Sequence, residues 1–240
     1  MAIYFYLHFQ YNGWLYLALI GMFLIVLHKK KIKVNDSLAR LGFWIYFLAL
    51  VPGYFTSVLW VDLGEFSIVL AIIGAIGQWI GVLSILLSFM QIREKIKLHY
   101  SQFTRWGVWI TFLLLFVKST MELGLTIPQL AALIYDTRSV IIGYLHLTLL
   151  GFVSIFIVTL FFMLKILQPN VLSISGFMIF LIGFTLNEMV LFIQAFMDWI
   201  YDVSVPYSNH FLLIASSLLL FGILLIWISF LRKTWIVPDC

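Results

Sequence analysis

Chemistry in this chain has to come from the few polar side chains that interrupt its long apolar runs. The densest group lies between Lys118 and Gly151: Lys118, Ser119, Glu122, Asp136 and Arg138, then Tyr144-Leu-His146-Leu-Thr148-Leu-Leu-Gly151. An ionisable side chain at the centre of a bilayer costs about 2.5–3.5 kcal/mol on insertion scales, so one retained in a spanning segment is a candidate for function. His146, together with His8 near the N-terminus, offers imidazole nitrogens, which bind copper and other metal ions or the iron of a heme. Glu188 is a carboxylate deep in another apolar run, where it needs a partner, a proton or an ion. Lys118 and Arg138 are the candidate cations for it. Lys118 and Glu122 stand four residues apart, the spacing of a helical ion pair and equally of a proton relay. Each histidine also has a second reading. A single membrane histidine can hydrogen-bond a neighbouring helix, and His8 stands among Tyr4, Tyr6, Tyr11 and Trp14, as in an interfacial aromatic belt.

The elements that position these groups follow from composition. Hydrophobic residues make up 64% and charged residues 10% of the chain, with a mean hydropathy of +1.11. Soluble domains have roughly 45–50% apolar and about 25% charged residues, so this is an integral membrane protein. Its apolar runs have the length of helices that span ~30 Å of hydrocarbon, without the alternating strands of a transmembrane barrel. The fold class is all-α. The one cysteine, Cys240, excludes an intramolecular disulfide and a cysteine-based metal cage. The pI near 9.1 is explained by basic residues beside helix ends, where anionic lipid and topology account for them, and nucleic acid is excluded as a partner.

Seven spans are predicted, over about 3–27, 38–60, 66–90, 106–125, 139–164, 171–200 and 210–231. A short interfacial helix is predicted over about 128–135, with Leu130, Leu133 and Ile134 on one face. No sequence repeat or separate soluble domain is expected. The first span lacks the basic start and cleavage site of a signal peptide and is read as a retained helix. The second starts after Asn35-Asp36-Ser37 and carries Pro52, which predicts a kink. The third follows Asp62-Leu-Gly64-Glu65. Its Gly77 and Gly81 form a small-residue face for close helix packing, or for another membrane subunit. The segment with Arg93, Lys95, Lys97 and Arg105 reads as a basic loop.

Twelve lysines and arginines fall on one side of these spans, in the segments after the first, third and fifth spans and in the tail from Arg232 to Lys233. The other side has Lys118 and Arg138. This places the N-terminus outside and the C-terminus in the cytoplasm. At ~1.5 Å of rise per residue, His8, Gln10, Lys118, Glu122 and His146 then fall in the outer half of their spans, Asn187, Glu188 and Gln194 in the outer two-thirds of theirs, and Gln78 near the middle. A polar chamber facing outward over an apolar foot is expected, with His8 and His146 at one depth.

Several functions are excluded. The last span has no lysine before Lys233 to form a retinal Schiff base, and there is no His-x-x-x-His zinc pair, Gly-x-Ser-x-Gly elbow or phosphate-binding loop. The segments Tyr6-Leu-His8-Phe-Gln10-Tyr-Asn12-Gly13-Trp14 and Lys118-Ser119 through Arg138 to Gly151 resemble parts of a group of bacterial multi-helix membrane proteins. That group in turn distantly resembles the heme–copper oxidase subunit I superfamily and its nitric-oxide-response relatives. The resemblance implies a bacterial inner-membrane protein in which His8 and His146 hold one heme or one copper ion. In the leading reading Lys118, Arg138 and Glu188 set the charge there or contact cofactor carboxylates. The His-His and His-x-His pairs of such oxidases are absent, so the resemblance implies no dioxygen reduction. The leading expectation is a redox, sensing or cofactor-handling role. The alternatives are a small permease or proton-coupled transporter using Glu188, Lys118 and Glu122, and a structural or assembly subunit.

Overall fold

The computed structural model describes residues 2–61 and 63–235, without the side chains of 233–235. Asp62, Cys240 and the side chain of Lys233, used above, lie outside the described residues. Every regular element described is a helix, and seven helices are long and apolar enough to cross a membrane. The protein is an all-α, multi-pass membrane protein whose apolar helix faces meet lipid. The chain divides into two compact units, Met1–Asp136 and Thr137–Cys240.

The first unit contains α1 (Ala2–Lys29), α2 (Asp36–Val58), α3 (Glu65–Met90), α4 (Arg93–His99), α5 (Gln102–Gly124) and α6 (Pro128–Asp136). Caps move some ends away from the expected spans. The Asn35 side chain accepts the Leu38 N–H at 3.2 Å and starts α2 early. Ser101 does the same for α5, accepting the Thr104 N–H at 3.3 Å, so α5 begins before Trp106. The stretch from Arg93 to Arg105 is not all loop: it contains α4, with Glu94 in the first turn and Lys97 and His99 in the last, each favourable to the helix dipole.

Pro52 acts by changing the helix type. α2 is α-helical to Gly53 and continues as a tighter 3-10 turn over Tyr54–Val58. There the Tyr54 N–H bonds Pro52 and Val51 and not Leu50, which leaves the Leu50 carbonyl to a side chain. The glycine face of α3 packs against α2 of the same chain. A Cβ on Gly77 would stand 2.6 Å from Ala49 Cβ, one on Gly81 2.7 Å from Tyr46 Cβ, and one on Gly74 2.1 Å from Gly53 N, all on α2. Bare backbone here lets α2 and α3 approach closely. Phe23, Phe89 and Phe112 join α1, α3 and α5 with ring centroids 4.9–5.3 Å apart.

The short helix expected over about 128–135 is α6, with Leu130 and Ile134 half-buried. Leu133 is 45% exposed, while Ala131 is buried and the Tyr135 hydroxyl donates to the Thr56 carbonyl. Pro128, Ala131 and Tyr135 line a groove of about 340 Å³ with Leu59, Trp60 and Ala71.

The second unit contains α7 (Arg138–Met163), α8 (Val171–Tyr201) and α9 (Ser208–Trp235). Asn170 and Ser173 form a reciprocal capping box at the start of α8. α8 and α9 are drawn together by small residues: a Cβ on Gly176 would stand 2.8 Å from the Gly222 carbonyl, and one on Gly183 2.9 Å from that of Ala215. On α7, Gly151 makes room for the ring of Phe184 from α8. Trp199 Nε1 donates to Thr137 Oγ1 at 2.6 Å, fastening the end of α8 beside the start of α7.

Candidate functional site

Among the described residues, the buried ionisable and amide side chains gather into one cluster within each unit. In the first unit, α5 brings Lys118 and Glu122 onto one face a turn apart, and Lys118 Nζ donates to Glu122 Oε1 at 2.8 Å. The same ammonium donates to Asn12 Oδ1 on α1 at 2.6 Å. This bond sets the rest of the chain of donors and acceptors. A lysine can only donate, so the Asn12 oxygen faces it and the Asn12 amide nitrogen faces His8 Nδ1, 3.3 Å away. His8 Nδ1 therefore accepts, with Ser57 Oγ as a second neighbour at 3.4 Å. Nε2 carries the proton and donates to the Leu50 carbonyl at 3.0 Å. The cluster thus ends on the backbone group released at the Pro52 turn. Gln78 Nε2 donates to the adjacent Ala49 carbonyl at 3.3 Å, and the Tyr46 hydroxyl donates to the Asn12 carbonyl at 2.7 Å. Lys118, His8, Gln78, Asn12 and Glu122 are only 2–8% exposed.

In the second unit the centre is Glu188, 8% exposed on α8. Its Oε1 accepts from the neighbouring Asn187 amide at 3.3 Å, and the same nitrogen lies 2.7 Å from His146 Nδ1 on α7. With the amide nitrogen serving both acceptors, His146 Nδ1 accepts and Nε2 carries the proton. Glu188 Oε2 is buried without a hydrogen-bond partner among the described residues. It lies against the bare backbone of Gly143, where a Cβ would stand 3.7 Å from it. Arg138, named above as a possible partner of Glu188, is exposed at the start of α7, and Lys118 is committed to Asn12 and Glu122 in its own unit.

The other sequence candidates have smaller parts. Gln10 and Gln194 are half-buried on α1 and α8. His210 is exposed, with its ring edge-on to Tyr207 at 5.9 Å. His28 and His99 are exposed, and His99 Nδ1 donates to the Lys95 carbonyl at 2.9 Å.

Both histidines stand at the same kind of backbone irregularity. His8 ends an α-helical turn and is followed by a wide π-helical stretch, Phe9–Leu15; His146 is followed by another, Leu147–Ser154. In the second, Ser154 Oγ donates to the Leu149 carbonyl five residues back. Such wide turns inside α-helices occur frequently at functional sites. The two segments share Tyr-Leu-His-x-x-x-x-Gly, at Tyr6 to Gly13 and Tyr144 to Gly151, a short repeat that corrects the expectation of none. Each histidine also presents Nδ1 to an asparagine amide, Asn12 or Asn187.

As metal ligands the histidines differ. His8 has no ring nitrogen to spare, because Nε2 donates to a carbonyl and the Nδ1 lone pair faces two donors; it does not fit a ligand role without losing these bonds. Among the described residues of its unit, His146 Nε2 has no hydrogen-bond partner, and in the tautomer set by Asn187 it is a donor. Among the described residues, no group of three or more histidine, cysteine, aspartate or glutamate side chains is placed to hold a metal ion. Asn12, Tyr46 and Ser57 are functional neighbours that the sequence reading missed as site residues. Of these, Asn12 could have been found, since it lies one helical turn after His8. No protein-family model and no curated protein matches this sequence.

Proposed function

We propose that this chain is a proton-conducting or proton-coupled transport protein in which Glu188 is the carboxylate that takes up and releases the proton. The observation that carries this reading is the difference between the two clusters. In the first unit each buried polar group just described is matched, and a fully satisfied network holds helices in place. In the second, a buried carboxyl keeps one oxygen without a donor, and an unsatisfied buried group in a native fold calls for an explanation. A proton, or a protonated group on a small solute, is the natural occupant of Oε2. The half-buried His146, linked to Glu188 through the Asn187 amide, is the next group along the path. Lys118 and Glu122, also candidates for coupling, are read as a structural clamp.

The test is proton flux into liposomes containing the purified protein, driven by an imposed membrane potential and read by an internal pH dye. Wild type should exceed protein-free liposomes, and Glu188→Gln should fall to their rate while Gln10→Ala does not. A wild-type flux equal to that of empty liposomes overturns the reading.

A heme or copper ion on His146, in a redox or sensing role, is the second proposal. One observation favours it: the ring is held at Nδ1 while Nε2 has no partner among the described residues of its unit, the arrangement that outer-shell bonds give metal-bound histidines once the Asn187 amide is turned. Absorption and metal content of protein expressed with heme and copper supplied, beside His146→Ala, decide it.

A further inference from the structure

The first unit carries a second pocket, remote in kind from either polar cluster. It has a volume of about 570 Å³ and lies where α3 ends at Met90, α4 crosses and α5 begins. Arg93 and Lys97 from α4 and Arg105 from the first turn of α5 supply three cations to it, against one carboxylate, Glu94. That carboxylate does not saturate them. It stands 3.6 Å from Arg93 Nε and 3.8 Å from Lys97 Nζ, with all three side chains at least 63% exposed, which is the geometry of weak surface pairs. Arg105 has no part in these pairs, and its Nε is buried without a hydrogen-bond partner among the described residues. Met90, Trp106 and Trp109 add apolar surface to the same lining, Trp109 one helical turn beyond Arg105 and Trp106 62% exposed.

We infer that this pocket binds the headgroup of an anionic phospholipid. The phosphodiester sits on Arg105, with Arg93 and Lys97 on its open side. The glycerol and first methylenes lie on Trp106, Trp109 and Met90. Each part of the lining matches one part of that molecule. A guanidinium whose Nε is unmatched fits a phosphate oxygen through a charge-assisted bond. Tryptophans at the end of a span sit where headgroups meet acyl chains, and basic clusters beside spans attract anionic lipid. Free phosphate would use only the polar half of the pocket. A zwitterionic headgroup would bring an ammonium into a lining with an excess of positive charge.

The test is to delipidate the full chain in mild detergent and follow thermal unfolding and native mass spectra while adding phosphatidylglycerol, phosphatidylcholine or inorganic phosphate. Phosphatidylglycerol should raise the melting temperature saturably and appear as a retained adduct, and the other two should not. Arg105→Gln should lower its apparent affinity about tenfold, the scale of one charge-assisted hydrogen bond. Lys97→Gln, at an exposed side chain, should lower it about threefold and keeps the test available if the arginine variant does not fold. Equal shifts from phosphatidylcholine overturn the headgroup assignment, and an equal shift from inorganic phosphate overturns the lipid. Wild-type affinity in the variants overturns the site.

Discussion

Lys118 and Glu122 show how a charge survives inside an apolar unit. Their own attraction across 2.8 Å is joined by the 2.6 Å bond from Lys118 to Asn12, so the ammonium has two matched acceptors. Removing one member of a buried pair costs about 3–5 kcal/mol because the other charge is left uncompensated, whereas replacing both by apolar groups is often neutral. Lys118→Met should therefore lower the thermal stability of the detergent-solubilised protein steeply, and adding Glu122→Leu should recover most of the loss. A double variant no better than the single one would show that Lys118 serves Asn12 and His8 more than Glu122. The pair itself was legible in the sequence, because four residues on a helix are neighbours. Its third member was not, since Asn12 is 106 residues away from Lys118 in the chain and only packing brings them together. For the same reason the expected partnership of Glu188 with Arg138 failed: spacing within one helix is readable, and a partner on another helix is not.

At the scale of elements, glycine decides how α2 and α3 meet. Because a Cβ at Gly74 would fall 2.1 Å from the Gly53 nitrogen, the clash is with backbone and no rotamer relieves it. Gly74→Val should cost about 1–3 kcal/mol or more, read as a lower melting temperature, while Gly21→Ala, where nothing lies within 4 Å, should change little. The small-residue spacing on α3 was visible in the sequence, but not which surface would fill it. Pro52 marked a break near the end of α2, though not its 3-10 form, whereas the π-helical stretches were invisible, because the apolar pattern that marks a span does not register one extra residue in a turn. The docking of α6 depends on Tyr135. Burial, and after it the nearby Tyr4 hydroxyl, pushes the Tyr135 hydroxyl up to about 12, from an ordinary value near 10. The folded state thus keeps a proton that the unfolded chain releases. This contribution is fully present below about pH 10 and is lost as pH rises toward 12. Tyr135→Phe should be about 1 kcal/mol less stable than wild type at neutral pH, from the lost bond to Thr56. The gap should narrow between pH 10 and 12 in alkaline melting curves.

At the scale of the whole molecule, lysines and arginines beside the span ends set which way the spans run. Of the two cations counted on the outer side, Lys118 is 2% exposed and paired inside the first unit, so it does not act as an anchor at the membrane surface. Arg138 is left as the exposed cation of that side, against the basic segments after α1 and α3 and the start of α5. The bias that orients a multi-pass protein comes from lysine and arginine close to span ends, so discounting Lys118 strengthens it. The N-terminus outside and the C-terminus in the cytoplasm is the topology we propose, in an inner membrane of the bacterial kind. In a Cys240→Ser background, Asp136→Cys should be labelled by a membrane-impermeant maleimide in intact cells, while Lys31→Cys and Lys95→Cys should be labelled only after permeabilisation. The reverse pattern would invert every span. It would also place the basic pocket beside α4 on the outer leaflet and require a lipid of that leaflet to fill it.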